Sequence, residues 1–185
     1  MNSARTLADR FRTQRTDRIR VDGIEVLSMT EIPVDKDATI EVIVESSRPD
    51  IEQSLHIRAR RAELEVVEHV ALDDDDDDYT FDPSIISDNL TIVANQPRRI
   101  EFVLAAEDSE QSKSKKAKNS TKPAVLQLWN SWLLGDAEHA WTGNSGIVIE
   151  ELDPPSEAKS QVRLWCSDGL GDPQFDDLVV LVTVG

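Results

Sequence analysis

The fold is decided by the stretch TIEVIVE at residues 39–45. Ile40, Val42 and Val44 occupy every second position, and two of the residues that alternate with them are glutamates. Successive side chains of an extended chain point to opposite faces, so this spacing buries one face and leaves the other largely polar. The stretch therefore predicts a β-strand that covers a hydrophobic core.

The same period of two recurs along the chain. It is found at residues 55–60, 63–66 and 100–104, and further apolar segments that fit strands lie at 23–29, 90–93, 125–129, 146–150, 162–165 and 178–184. No amphipathic pattern of about 10–15 residues separates these segments, so parallel strands joined by helices are not expected. The sequence predicts an all-β, antiparallel sandwich.

Two strand–turn–strand units, at residues 24–45 and 89–104, repeat one rhythm. This rhythm resembles that of immunoglobulin-like domains of bacterial surface and accessory proteins. The resemblance implies an immunoglobulin-like or jelly-roll-like sandwich and implies no function, because one fold hosts many functions.

The N-terminal segment has a different pattern. Ala4, Leu7, Ala8 and Phe11 share one helical face, and Thr6 can cap the helix because Asp9 follows three residues later. Residues 1–20 carry six arginines against two aspartates, although the whole chain has a formal net charge of −16. We expect a short helix that docks on the sandwich or on another chain, which includes a homo-oligomer formed through this helix.

A length of 185 residues fits one domain. We expect a basic N-terminal helix or arm at residues 1–22 and a single β-sandwich domain at 23–185. Loops at 73–84 and 107–123 should be exposed, because they contain an aspartate run and a lysine-rich stretch without apolar anchors.

Charge and hydropathy exclude several classes of partner. The net charge of −16 disfavours nucleic acid and anionic lipid. No apolar run reaches the roughly 18–20 residues of a membrane-spanning helix. No apolar stretch follows the N-terminal charges as in a secretory signal, so the expected location is the cytoplasm. The run Lys115-Lys116-Ala117-Lys118 fits a minimal nuclear-import pattern and leaves the nucleus as an alternative.

The sharpest candidate site is the acidic segment CSDGLGDPQFDDL at residues 166–178. Clustered carboxylates and loop carbonyls supply the oxygen ligands that calcium requires. The segment resembles acidic hairpins near the ends of some calcium-binding bacterial β-sandwich proteins and, more distantly, bacterial fucose-binding lectins. The resemblance implies a calcium site formed by Asp172, Asp176 and Asp177, with Asp168 as a further ligand.

A turn without metal is the alternative interpretation of this segment. Aspartate and glycine are favoured in turns for reasons unrelated to metal. In an extended chain the neighbours Asp176 and Asp177 point to opposite faces, so both could be side-chain ligands only at a bulge or bend.

Three tryptophans form the second candidate. Trp129, Trp132 and Trp141 lie within thirteen residues and are followed by Asn144. Aromatic faces beside amide groups suit a sugar or a protein surface, so these four residues are candidate ligand-binding residues. The alternative is that the tryptophans fill the core, as Trp often does in sandwiches.

No motif supports an enzyme. His56, His69 and His139 lie far apart in the sequence and in no metal-binding frame, and the single Cys166 follows an apolar strand segment. The sequence favours a non-catalytic binding module that recognises a sugar or a protein surface with the assistance of calcium. The alternative is an accessory or assembly subunit that docks through its N-terminal helix without metal.

Overall fold

The computed structural model describes residues 5–35, 37–71, 86–94, 98–105 and 123–185. These residues contain one helix and fourteen strands, in the order α1 (Leu7–Gln14), β1 (Arg18–Val21), β2 (Ile24–Leu27), β3 (Thr30–Val34), β4 (Thr39–Ser47), β5 (Gln53–Arg60), β6 (Glu63–Ala71), β7 (Ile86–Ser87), β8 (Asn89–Val93), β9 (Arg98–Ala105), β10 (Ala124–Leu134), β11 (Ala137–His139), β12 (Asn144–Leu152), β13 (Ser160–Gly169) and β14 (Leu178–Val184).

The strands form two antiparallel sheets packed together. Sheet A has nine strands in the order β1-β2-β12-β13-β14-β4-β9-β6-β7. Sheet B has the order β11-β10-β5-β8, with β3 also paired to β10. The predicted all-β sandwich with a short N-terminal helix is confirmed, while the finer assignment to an immunoglobulin-like or jelly-roll-like type stays a prediction.

The core lies between the sheets and contains the residues that the alternation predicted to be buried. Ile40, Val42 and Val44 of β4 are buried, and they belong to the same hydrophobic cluster as Phe102 of β9 and Leu128 of β10. Each of these large side chains contributes about 1.5–3 kcal/mol when it leaves water. Alternation along β10 places Trp129 on the opposite, outer face of sheet B.

Strand β10 pairs with three other strands of sheet B. It pairs along one side with β5, and along its other side first with β3 and then with β11. The pairing with β3 extends along β10 only as far as Leu128, and the pairing with β11 starts at Trp132. Trp129–Ser131 therefore lie between these two short partners. Pro33 lies in β3, where an edge strand tolerates a residue without an N–H.

Helix α1 packs on the outer face of sheet A. The Thr6 hydroxyl accepts the Asp9 N–H at 3.2 Å, and Arg15 ends the helix in the left-handed conformation at φ 52°. Leu7 and Phe11 are buried against Ile19 and Val26. The expectation that this helix docks on the sandwich is therefore confirmed.

A glycine of β12 allows the close approach of the helix. A Cβ atom on Gly146 would lie 2.6 Å from a methyl group of Val26 and 3.2 Å from one of Leu7. The hairpin formed by β1 and β2 crosses the predicted boundary at residue 22, because its two strands pair through Val21 and Ile24.

The predicted loops at 73–84 and 107–123 lie outside the described residues, except for the exposed Pro123. Among the residues that are described, no helix has the length and apolar character needed to cross a membrane.

Candidate functional site

An aromatic row crosses the outer face of sheet B. Trp129 of β10 lies opposite His56 of β5, and their rings stack with centroids 5.1 Å apart and planes 6° apart. On its other side Trp129 contacts Trp141, with centroids 5.6 Å apart. The structure thus brings together two of the three predicted tryptophans.

The position of Trp141 is held by its backbone and by one hydrogen bond. It lies in the connection between β11 and β12, and its φ of 55° is unusual for a non-glycine residue. Its indole Nε1 donates to the carbonyl of Ser28 at 3.0 Å. The residue nevertheless remains 49% exposed, so a large side chain is held in contact with solvent.

His56 is fixed by three polar contacts at the other end of the row. Its Nε2 lies 2.7 Å from both the Ser131 hydroxyl and a Glu138 carboxylate oxygen, and its Nδ1 lies 3.1 Å from the Thr91 hydroxyl. The pKa of Glu138 is lowered, chiefly because the Ser131 hydroxyl donates to it and also because His56 lies beside it. These contacts hold the imidazole parallel to Trp129 and keep Glu138 ionised at neutral pH.

A groove of about 860 Å³ begins where the aromatic row ends at Trp141. Helix α1 forms one wall, and the connections that precede β1, β3 and β12 form the rest. The lining residues are Ala8, Phe11, Arg12, Arg15, Thr16, Asp17, Ser28, Met29 and Trp141.

The groove combines apolar surface with a charged rim that carries Arg12, Arg15 and Asp17. Phe11, Met29 and Trp141 supply aromatic and thioether surface. Arg12 and Arg15 are exposed along the helix, and Arg12 forms an ion pair with Asp9 at 3.1 Å. Such a groove can accept an apolar side chain while the arginines contact an acidic group beside it.

Trp132 and Asn144, the other two predicted ligand-binding residues, make contacts within the protein. Trp132 is 2% exposed, and a Cβ atom on Gly169 would lie 2.7 Å from its ring. The Asn144 side chain accepts the Leu7 N–H at 3.0 Å and donates to the Gly171 carbonyl at 2.5 Å. Asn144 therefore ties the N-terminus of α1 to the sandwich.

The acidic hairpin forms a different constellation from the predicted one. Asp168 is fully buried at the end of the sandwich, and its Oδ2 accepts from Arg48 at 2.7 Å and from Gln53 at 3.2 Å. Asp177 is also buried and accepts the Asp168 N–H at 3.0 Å. Arg48 lies 3.5 Å from Asp177, so one guanidinium faces both carboxylates.

The electrostatics of this cluster explain its pKa shifts. Burial raises the pKa of Asp177, and the charge of Asp168 acts in the same direction. The pKa of Arg48 is raised, first through its hydrogen bonds to Asp50 and then through Asp168. The guanidinium thus supplies the positive charge that two adjacent buried carboxylates need.

The remaining two predicted calcium ligands, Asp172 and Asp176, are exposed in the connection before β14. Asp176 and Asp177 thus differ in burial, as expected of neighbours with opposite orientations. Within the described part of the chain, no three His, Cys, Asp or Glu side chains are grouped so that they could hold a metal ion. Asp168 and Asp177 fit a guanidinium better than an ion with six to eight oxygen ligands, and calcium binding stays a prediction.

Sequence reasoning missed the partners that define both clusters. Arg48 and Gln53 lie more than 100 residues from Asp168 in the chain, and the groove combines α1 with residues near 28 and 141. The one local signal of the groove in the sequence is the exposed side of the helix, which carries Arg12 and Arg15.

Comparison with known proteins found no family model, no curated protein and no solved structure that matches this chain.

Proposed function

We propose that this protein is a non-catalytic protein-binding module, and that its partner binds in the groove between α1 and Trp141. The observation that carries this proposal is Trp141 itself, because the residue is fixed at the groove and is still 49% exposed. A fixed, exposed indole beside other apolar side chains is typical of an anchor position in a protein interface.

The composition of the groove supports a protein partner. Aromatic residues, methionine and arginine are enriched in protein interfaces, and all three classes line this groove through Phe11, Met29 and Arg12. The aromatic row at Trp129 and His56 extends the same surface across sheet B.

The anchoring of the helix supports binding by a preformed surface. The first two N–H groups of α1 donate to Asn144 and to the Gly143 carbonyl, both at 3.0 Å. Leu7 and Phe11 also hold the helix through the apolar cluster beneath it. A preformed groove reduces the entropy lost on binding, so a modest contact area can still give useful affinity.

A carbohydrate ligand is the second candidate, and the surroundings of Trp141 favour it. The exposed indole face lies beside Asp17 and Arg12, whose side chains can bond hydroxyl groups around an apolar sugar face.

The proposed interface is the groove between α1 and Trp141, whereas the accessory-subunit hypothesis has the N-terminal helix itself dock on another chain. Leu7 and most of Phe11 pack within this chain, and the groove is lined by the remaining edge of Phe11 together with Arg12 and Arg15. The proposal includes no metal, because Arg48 already faces the buried carboxylates of Asp168 and Asp177.

Selection from a random peptide library displayed on phage tests the protein-binding proposal. We expect peptides that bind the wild-type protein and lose at least tenfold in affinity for Trp141→Ala. Val67→Ala is the matched control, because Val67 is 53% exposed and lies near the other edge of sheet A. Peptides that bind both variants equally, or a failure to recover any peptide, would contradict the proposal, and binding of a glycan array through Trp141 would favour the carbohydrate.

A further inference from the structure

The tip of the hairpin formed by β10 and β11 exposes two adjacent leucines. Leu133 is 37% exposed and Leu134 is 52% exposed, although most of the leucines that the structure describes are buried. Leu133 and Leu134 are the last two residues of β10, and neighbours in a strand point to opposite faces, so the tip presents one leucine on each side. The turn continues through Gly135 to the exposed Asp136.

This hairpin tip, Leu133–Asp136, complements the groove in both hydrophobicity and charge. Leu134, the more exposed of the two leucines, suits the apolar surface formed by Met29, Trp141 and the edge of Phe11. The Asp136 carboxylate suits the rim, where Arg15 is exposed. The rim also carries Asp17, and Arg12 pairs with Asp9, so Arg15 is the cation of this rim that an acidic segment of a partner can recognise.

The tip and the groove lie at neighbouring places on the molecule. Leu134 lies five residues along β10 from Trp129, or about 17 Å at the rise of a strand. Trp141, which contacts Trp129, follows the end of β11 by two residues. The tip cannot enter the groove of its own chain without breaking the β10–β11 pairing at Leu134 and Ala137.

We infer that the groove binds the hairpin tip of a second copy of this chain, an inference that rests on the proposed function. A tip and a groove at separate places on one chain can contact the groove and the tip of a second copy reciprocally about a two-fold axis. Each copy then gives its tip and receives its partner's, so the contact is made twice and the assembly closes as a dimer.

Sedimentation velocity across a concentration series tests this inference. At about 150 mM salt the Debye length is roughly 8 Å, so repulsion between the two acidic copies is largely screened. We expect the mass to rise from 20.7 kDa to twice that value as concentration increases. A mass that stays at 20.7 kDa throughout would overturn the inference.

Variants in the hairpin tip and in the groove test which residues form the contact between the two copies. Leu134→Glu and Trp141→Ala should each weaken the dimer at least tenfold, whereas Val67→Ala should leave it unchanged. Arg15→Glu and Asp136→Arg should each weaken the dimer, and the double variant should recover part of the loss. Arg15 is preferred to Arg12 because Arg12 pairs with Asp9 within the helix. A dimer that Leu134→Glu does not weaken would refute the assignment of the tip.

Mixing two defective variants separates a direct contact from a folding defect. A Leu134→Glu copy keeps its groove and a Trp141→Ala copy keeps its tip, so a mixed dimer retains one of the two contacts. We expect the mixture to associate more strongly than either variant alone, and the absence of this complementation would overturn the inference. A monomeric wild type that still binds displayed peptides through Trp141 would refute the second copy as partner and leave the proposed function standing.

Discussion

Replacing Arg48 by methionine should be among the most damaging single substitutions at the end of the sandwich. The variant keeps a long apolar stem and removes the guanidinium that faces Asp168 and Asp177. Both carboxylates are almost completely buried, so water cannot replace the lost charge. Removing one partner of a buried ion pair costs about 3–5 kcal/mol, because the remaining charge is left uncompensated.

Two features of the structure place the expected loss of stability near the lower end of the range of about 3–5 kcal/mol. Arg48 is 28% exposed, and Asp168 keeps its hydrogen bonds from Gln53 and from the Leu170 N–H. We therefore expect the free energy of unfolding to fall by about 3 kcal/mol. With a urea m-value of about 2 kcal/mol/M, the midpoint should fall by roughly 1.5 M.

Urea denaturation monitored by tryptophan fluorescence measures this loss. Arg18→Met is the matched control, because Arg18 pairs with Glu25 at 3.1 Å on the surface and its side chain is 61% exposed. An exposed pair of this kind contributes about 0–1 kcal/mol. If Arg48→Met lowers the midpoint no further than Arg18→Met does, the assignment of Arg48 as the charge that holds the buried pair is refuted.

Three other predictions concern the same end of the sandwich. Since burial raises the pKa of Asp177 above its ordinary 3.8, the folded state binds more protons than the unfolded state there, and stability falls as pH rises through that window. Asp177→Asn should therefore leave stability at pH 7 unchanged or higher and flatten its pH dependence between about 3.8 and the raised pKa, as measured by urea midpoints at several pH values. Gly169→Ala should cost at least about 2 kcal/mol, because its Cβ would lie 2.5 Å from the Thr142 carbonyl, whereas Gly135→Ala has open space and should cost about 1 kcal/mol. If Arg48 alone compensates the buried carboxylates, calcium at about 2 mM should leave the melting temperature unchanged, whereas a rise that Asp176→Asn abolishes would support the predicted calcium site.

The strands were predictable where one face is buried and the other is polar. The alternation at residues 39–45 and 100–104 is a local property, and the structure has β4 and β9 there. Strand β1 was assigned to the basic arm, because Arg18 and Arg20 hide the alternation of Ile19 and Val21. Pro33 favours a turn within the unit at residues 24–45, yet the structure has it in β3, because a place on an edge strand requires no N–H.

The candidate sites were only partly predictable, because their partners are distant in the sequence. Alternation predicted that Leu128 and Trp129 point to opposite faces, and Leu128 is buried while Trp129 lies on the outer face. The pairing of Asp168 with Arg48 depends on how the connection after β4 meets the end of β13, which no local pattern records. Trp132 and Asn144 have suitable chemistry for a ligand, but each is used in internal contacts.

Contacts within the chain engage part of the basic N-terminal segment of this acidic protein. Several of the N-terminal arginines are engaged within the chain: Arg10 donates to the Arg20 carbonyl, Arg12 pairs with Asp9 and Arg18 pairs with Glu25. The basic segment is therefore not a free arm, and its capacity to recognise a partner is concentrated in the arginines along the groove. Complementary charges at such a rim chiefly determine which partner is accepted and how fast it associates, while the apolar floor supplies most of the affinity. Charge reversal at Arg15 should accordingly change the rate of association and its salt dependence, and removal of the indole of Trp141 should mainly increase the rate of dissociation.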